Sequence, residues 1–118
     1  MTRLALLTLA LALLLPGAAP AEPSGWVPGT EDVPLMPGLA PTGDAGLIFD
    51  KPQGRIVEAS ARGSVSRHAV LAFYQESLPQ LGWRAAGERH FLRDGEQLSL
   101  GFNGHDGNLL VDFTLVPH

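Results

Sequence analysis

The stretch Ser66–Trp83, SRHAVLAFYQESLPQLGW, decides the fold. Val70, Leu71, Phe73, Tyr74, Leu78 and Leu81, together with Ser77, fall within one arc of a helical wheel. His68, Ala72, Gln75, Glu76, Pro79 and Gln80 take the other side. Ser66 is suited to cap the first turn, because its hydroxyl can accept from an orphan backbone N–H. Gly82 is suited to end the last turn, because it can take positive φ. The spacing predicts one amphipathic helix over Arg67–Leu81. Pro79 withholds a hydrogen bond from the Gln75 carbonyl on the solvent side, where water can replace it, so a bend or an early end is expected there.

Working outward, extended segments flank this helix on both sides. Upstream, Gly46–Asp50 is a short apolar run, Lys51-Pro52-Gln53-Gly54 carries turn chemistry, and Arg55–Arg62 is a second extended run ended by Gly63-Ser64. Downstream, Trp83–Ala86 and His90–Arg93 read as one interrupted strand, and Asp94-Gly95 is a two-residue hairpin signal. Glu96–Phe102 alternates, with Leu98, Leu100 and Phe102 on one face. Asn103–Asn108 reads as a turn, and Leu109–Val116 places Leu109, Val111, Phe113 and Leu115 on one face. The order is (β)β-α-β-β-β. It predicts an α+β fold: an antiparallel sheet of four to five strands with one amphipathic helix packed across one face.

Residues 1–45 have a different character. Arg3 precedes Leu4–Leu15, twelve residues that are all Leu, Ala or Thr, and Pro16-Gly17 then leads to Ala19-Pro20-Ala21. This is the three-part pattern of a secretory signal peptide over residues 1–21, with cleavage expected between Ala21 and Glu22. The apolar run is short of the roughly 20 residues that a membrane-spanning helix requires, so no stable membrane anchor is expected after cleavage. Residues 22–45 hold five Pro and four Gly without apolar periodicity and read as an irregular arm. Its Trp26, Val27, Val33, Leu35, Met36 and Leu39 are too apolar for a solvated linker, and Val33–Leu39 is expected to lie against the domain or a partner. Residues 46–118 form the single α+β domain.

Charge and composition exclude several classes of function. The product after cleavage would carry seven basic and twelve acidic residues, a net charge of −5. Neither nucleic acid nor anionic lipid suits so acidic a surface. There is no cysteine, which removes disulfides, thiol nucleophiles, thiolate metal sites and a lipid-modified N-terminal cysteine. One Lys stands against seven Arg, amid much Ala, Leu, Gly and Pro, as a GC-rich bacterial genome tends to give. Periplasm is the expected compartment, with full secretion as the alternative.

No constellation matches a catalytic motif. The four histidines share no i,i+4 spacing on a helix, so no zinc-protease signature is present. Asn103-Gly-His-Asp-Gly-Asn108 contains His105 and Asp106 as weak metal candidates, but a polar turn explains the same composition. Its Gly104-His-Asp-Gly107 spacing matches a GXXG loop, yet it lies between strands and carries an acid. Gly63-Ser-Val-Ser-Arg67 is not a nucleophile elbow, since the fifth residue is Arg. Glu76 and Glu58 pair as acid and base only by assumption. No cofactor and no enzymatic activity are expected.

The remaining pattern is F-Y-x-x-x-L-P-x-x-G-W over Phe73–Trp83. Its aromatics suit a helix–sheet core; the functional alternative is an aromatic ligand patch made of Tyr74, Trp83 and Trp26. The helix carrying this motif between strands resembles a domain of small exported bacterial proteins and lipoproteins of unknown function, over about residues 54–116. The resemblance implies an α+β fold and an envelope location, and carries no activity. The lipobox cysteine of the lipoprotein members is absent here. The leading expectation is a non-enzymatic envelope domain that binds a protein partner or a second copy. The alternative is a small-ligand or metal-binding module using Trp83, Tyr74 and the Asn103–Asn108 loop, and a hydrolase is a distant third.

Overall fold

The computed structural model describes residues 25–43 and 46–118. In chain order the elements are β1 (Leu39–Pro41), β2 (Leu47–Lys51), β3 (Gly54–Gly63), α1 (Arg67–Gln80), β4 (Arg84–Ala85), β5 (His90–Arg93), β6 (Glu96–His105) and β7 (Asn108–Pro117). The fold is α+β: one helix and one antiparallel sheet of order β1-β3-β7-β6-β5-β4, with β2 also paired to β3. The sheet has seven strands among the described residues, more than the four to five expected.

Two of the additional strands have identifiable causes. Trp83–Arg93 is not one interrupted strand, because β4 and β5 are antiparallel partners, with Arg84 opposite Leu92 and Ala85 opposite Phe91. The chain reverses between them at Gly87, whose φ of 151° is open to glycine, and Ala86 N donates to His90 O at 2.8 Å. β1 lies inside the Pro/Gly-rich arm. Pro37-Gly38 turns the chain into it, with Leu39 N donating to Met36 O at 3.1 Å and Gly38 at φ 94°. β1 then packs so closely on β3 that a Cβ on Gly63 would lie 2.0 Å from the Gly38 carbonyl oxygen. Glycine at position 63 is what permits this pairing.

The Asn103–Asn108 stretch is also more regular than a loop. β6 and β7 continue into it, His105 pairs with Asn108, and only Asp106-Gly107 remains as the turn. At the other hairpin, Asp94 (φ 48°) and Gly95 (φ 75°) both take positive φ, the geometry of a type I′ turn.

The helix begins and ends as its capping residues dictate. Ser66 Oγ accepts from Ala69 N at 3.0 Å. At the other end Trp83 N donates to Leu78 O at 3.1 Å and Gly82 N to Pro79 O at 3.2 Å, the paired bonds of a Schellman motif with Gly82 at φ 91°. The helix runs through Pro79, which faces solvent. Its buried stripe is Val70, Tyr74 and Leu78, while Leu81 is exposed beyond the last turn. This stripe meets the inward row of the sheet: Val57, Ala59 and Ala61 on β3, Val111, Phe113 and Leu115 on β7, and Leu98 and Leu100 on β6. Phe102 is half-buried at the margin, under the Arg67 guanidinium at 5.6 Å from the ring centre.

Candidate functional site

The arm completes the core. Val27, Val33, Leu35 and Leu39 are buried in the same cluster as the helix stripe. Its first part folds back on itself, with Val27 N donating to Val33 O and Leu35 N to Gly25 O, both at 2.8 Å. Its backbone is then fastened by the two aromatics proposed as a ligand platform. The Tyr74 hydroxyl donates to Pro34 O at 2.8 Å and accepts from Met36 N at 3.2 Å. Trp83 Nε1 donates to Asp32 O at 3.1 Å. Tyr74 and Trp83 are therefore both enclosed and have their polar tips occupied by main chain. Trp26 is half-exposed and bridges to Pro34 at the outer side of the arm. Burial raises the Tyr74 phenol well above its ordinary value, the arm backbone opposing this only in part.

Charge closes the same seam. Arg55 donates from Nε and a terminal nitrogen to Glu96 at 3.1 and 3.3 Å, and reaches Asp32 at 3.3 Å. The hydrogen bond to Glu96 is the main reason that the Arg55 guanidinium is held above its ordinary value. Arg93 also pairs with Asp32, donates to Leu81 O at 2.9 Å, and lies 4.9 Å from the centre of the Trp83 ring. Four charged side chains from the arm, β3, β5 and β6 thus clamp the arm to the sheet.

The weak metal candidates serve a different contact. Asp106 Oδ1 accepts from Arg67 N at 2.9 Å, and Gly107 N donates to Val65 O at 3.0 Å. The β6–β7 turn is thereby docked on the start of the helix, and Asp106 acts as a second cap beside Ser66. His105 Nδ1 lies 3.1 Å from the Asp106 carbonyl oxygen. Among the described residues, no group of three or more His, Cys, Asp or Glu side chains is placed to hold a metal ion. Ala21 and Glu22, the expected cleavage pair, and the rest of the signal segment lie outside the described residues.

Two features of the surface were not singled out by the sequence. On the sheet face opposite the helix, Glu58, Ser60, Asp112 and Thr114 line a concavity of about 590 Å3 walled by Thr42, Gly46 and Leu47. Asp112 is held there by Ser60 Oγ at 2.5 Å and Asn103 Nδ2 at 2.9 Å. Farther along that face, His90 Nδ1 lies 3.1 Å from Ser99 Oγ. The second feature is β2. It pairs with β3 on one side, and Leu47, Ile48 and Phe49 are 59%, 53% and 48% exposed. Successive strand residues point to opposite faces, so this strand is apolar on both faces and fully covered on neither. The run Leu47-Ile48-Phe49 was the available signal: continuous apolar residues in a strand ask for burial on two sides.

No family model, curated protein or solved structure matches the chain, so the resemblance drawn on Phe73–Trp83 rests on the motif alone. No helix among the described residues is long and apolar enough to cross a membrane.

Proposed function

We propose that the chain is an exported, non-enzymatic interaction domain of the bacterial envelope, and that β2 is its binding element. The observation that carries this reading is the exposure of Leu47, Ile48 and Phe49 on a strand that, among the described residues, has a partner on one edge alone. Free strand edges invite pairing, and natural edges are usually blunted by charge, proline or a bulge. Here the first three positions of β2 are apolar, and its charges, Asp50 and Lys51, are confined to the end next to the Pro52-Gln53 turn. Val27, Val33, Leu35 and Leu39 of the arm are taken up by the core and Trp26 alone of its large apolar residues stays half-exposed, which favours β2 over residues 26–39 as the surface that meets a partner. Export is supported by Arg3, the apolar run Leu4–Leu15 and the small residues up to Ala21.

The test is a photo-activatable residue placed at Phe49 in the exported chain, with the same residue at exposed Gln80 as control. The Phe49 position should form discrete crosslinked products in the envelope, and Ile48→Lys should abolish them. The mature product should begin at Glu22 by mass. Equal, diffuse labelling from both positions would overturn the interaction reading, and a product retaining Met1 would overturn the export reading.

A further inference from the structure

We infer that β2 is the seam of a symmetric dimer, paired antiparallel with the β2 of a second copy about a twofold axis at Phe49. The inference rests on the reading of β2 as the binding element and names its occupant.

The argument begins with the ladder. Lys51 and Gly54 close a two-residue turn at Pro52-Gln53, and Phe49 and Leu47 pair with Ile56 and Glu58. In an antiparallel ladder hydrogen-bonding residues alternate, so the backbone groups of Ile48 and Asp50 turn outward to the free edge. Two identical edges can then join only in registers that bring outward residues opposite outward residues. Two such registers use the apolar centre of β2. One is centred on Ile48 and the other on Phe49.

Charge separates them. Centred on Phe49, the five residues Leu47–Lys51 pair in full with the same five of the second copy. Leu47 then faces the second copy's Lys51, and Ile48 faces its Asp50. Opposite residues share a face, so that Lys51 also shares the face of Glu58, one strand farther in. Adjacent strands are about 4.8 Å apart, which puts those two backbones about 10 Å from each other. A lysine stem laid across Leu47 and an extended glutamate span that gap. Asp112, on β7, is opposite Ser60 rather than Glu58, so it lies one strand farther in and two residues along, and it is already held by Ser60 and Asn103. Glu58 is exposed and has no hydrogen-bond or ion-pair partner among the described residues, and the same holds for Lys51. The twofold axis makes the Lys51–Glu58 contact twice, and Phe49 meets its own copy at the centre as a cross-strand aromatic pair. Centred on Ile48, only Leu47–Phe49 would pair, Phe49 rather than Lys51 would face Leu47 in the row of Glu58, and Lys51 would run past the end of the ladder. The seam is short compared with a standard interface of roughly 800 Å2 a side, so the dimer forms on concentration and is lost on dilution.

The decisive experiment is a charge exchange read by sedimentation velocity on the exported product. Lys51→Glu sets a new carboxylate against Glu58 at both contacts, and Glu58→Lys sets a new ammonium against Lys51 at both. Each variant alone should lose the dimer at concentrations where the parent shows it. Mixed in equal amounts, they should regain it, because every contact in the mixed dimer is then between like-charged pairs no longer: one contact joins the two native residues and the other joins the two exchanged ones, each of opposite sign. Register is read by single cysteines in a chain that has none of its own. Phe49→Cys should crosslink on oxidation more readily than Ile48→Cys. A parent that stays monomeric at millimolar concentration, a mixture no more associated than its components, or preferential crosslinking at position 48 would each overturn the proposal. If dimerisation fails while the Phe49 photo-crosslink to another envelope protein persists, the interaction reading stands and this inference alone falls. If both fail, both fall.

Discussion

The Tyr74 hydroxyl sits between Pro34 and Met36, donating to the carbonyl of the first at 2.8 Å and accepting from the amide of the second at 3.2 Å. One side chain on the helix thus satisfies two backbone groups of the arm, and its ring meets Phe113 of the sheet edge-on at 5.6 Å. Tyr74→Phe keeps the ring and removes the fastening. Leaving buried partners unpaired should cost on the order of 1–3 kcal/mol. Urea unfolding of the variant should show that loss, and limited proteolysis should cut within residues 25–43 sooner than in the parent. A variant as stable and as resistant as the parent would mean that apolar packing alone holds the arm.

The same phenol makes stability sensitive to alkali. Burial raises its pKa in the folded chain above the unfolded value of about 10. The folded state therefore keeps this proton at pH values where the unfolded state gives it up. Its contribution to stability is complete below about pH 10 and declines as pH rises beyond it. Tyr74 is the only tyrosine, so phenolate absorbance reports it alone. The absorbance should rise together with the loss of helical circular dichroism, not before it. Tyr74→Phe should flatten the fall in stability above about pH 10. A phenolate that appears at about pH 10 in a still-folded chain would show the arm opening without unfolding.

Much of this architecture was legible because local rules and tertiary packing agreed. Ser66 and Gly82 marked the helix ends, Asp94-Gly95 marked a type I′ turn, and the alternation at Leu98–Leu100 and Leu109–Leu115 marked the inward face. The arm was harder to read. Proline and glycine removed any period from residues 25–41, so its place in the sheet depends on a partner far along the chain: β1 needs the bare Cα of Gly63. The reversal at Gly87 was hidden because β4 has only two residues, too few for alternation to register. The aromatics Tyr74 and Trp83 were recognisable as core or as site, but nothing local to them shows that a segment some 40–50 residues upstream occupies their polar atoms. The exposure of β2 was illegible for a related reason. An apolar strand reads the same whether its cover comes from its own chain or from another.

Asp106 separates a structural from a metal-binding reading of the β6–β7 turn. Its carboxylate accepts from Arg67 N at 2.9 Å, next to the Ser66 cap on Ala69 N at 3.0 Å, so two of the first-turn donors are satisfied by side chains. Removing either acceptor should cost about 1 kcal/mol, within the usual range for a cap. Asp106 adds a favourable charge at the positive end of the helix and ties the hairpin to it, so Asp106→Ala should be the costlier of the two. Because both caps serve one turn, the double variant Ser66→Ala/Asp106→Ala should depart from additivity. The measurement is thermal or urea unfolding of all four proteins, repeated with a chelator and with added zinc. A capping role predicts the same losses in each condition. A loss that appears only with zinc present, together with zinc stabilising the parent but not Asp106→Ala, would show that the carboxylate holds a metal instead.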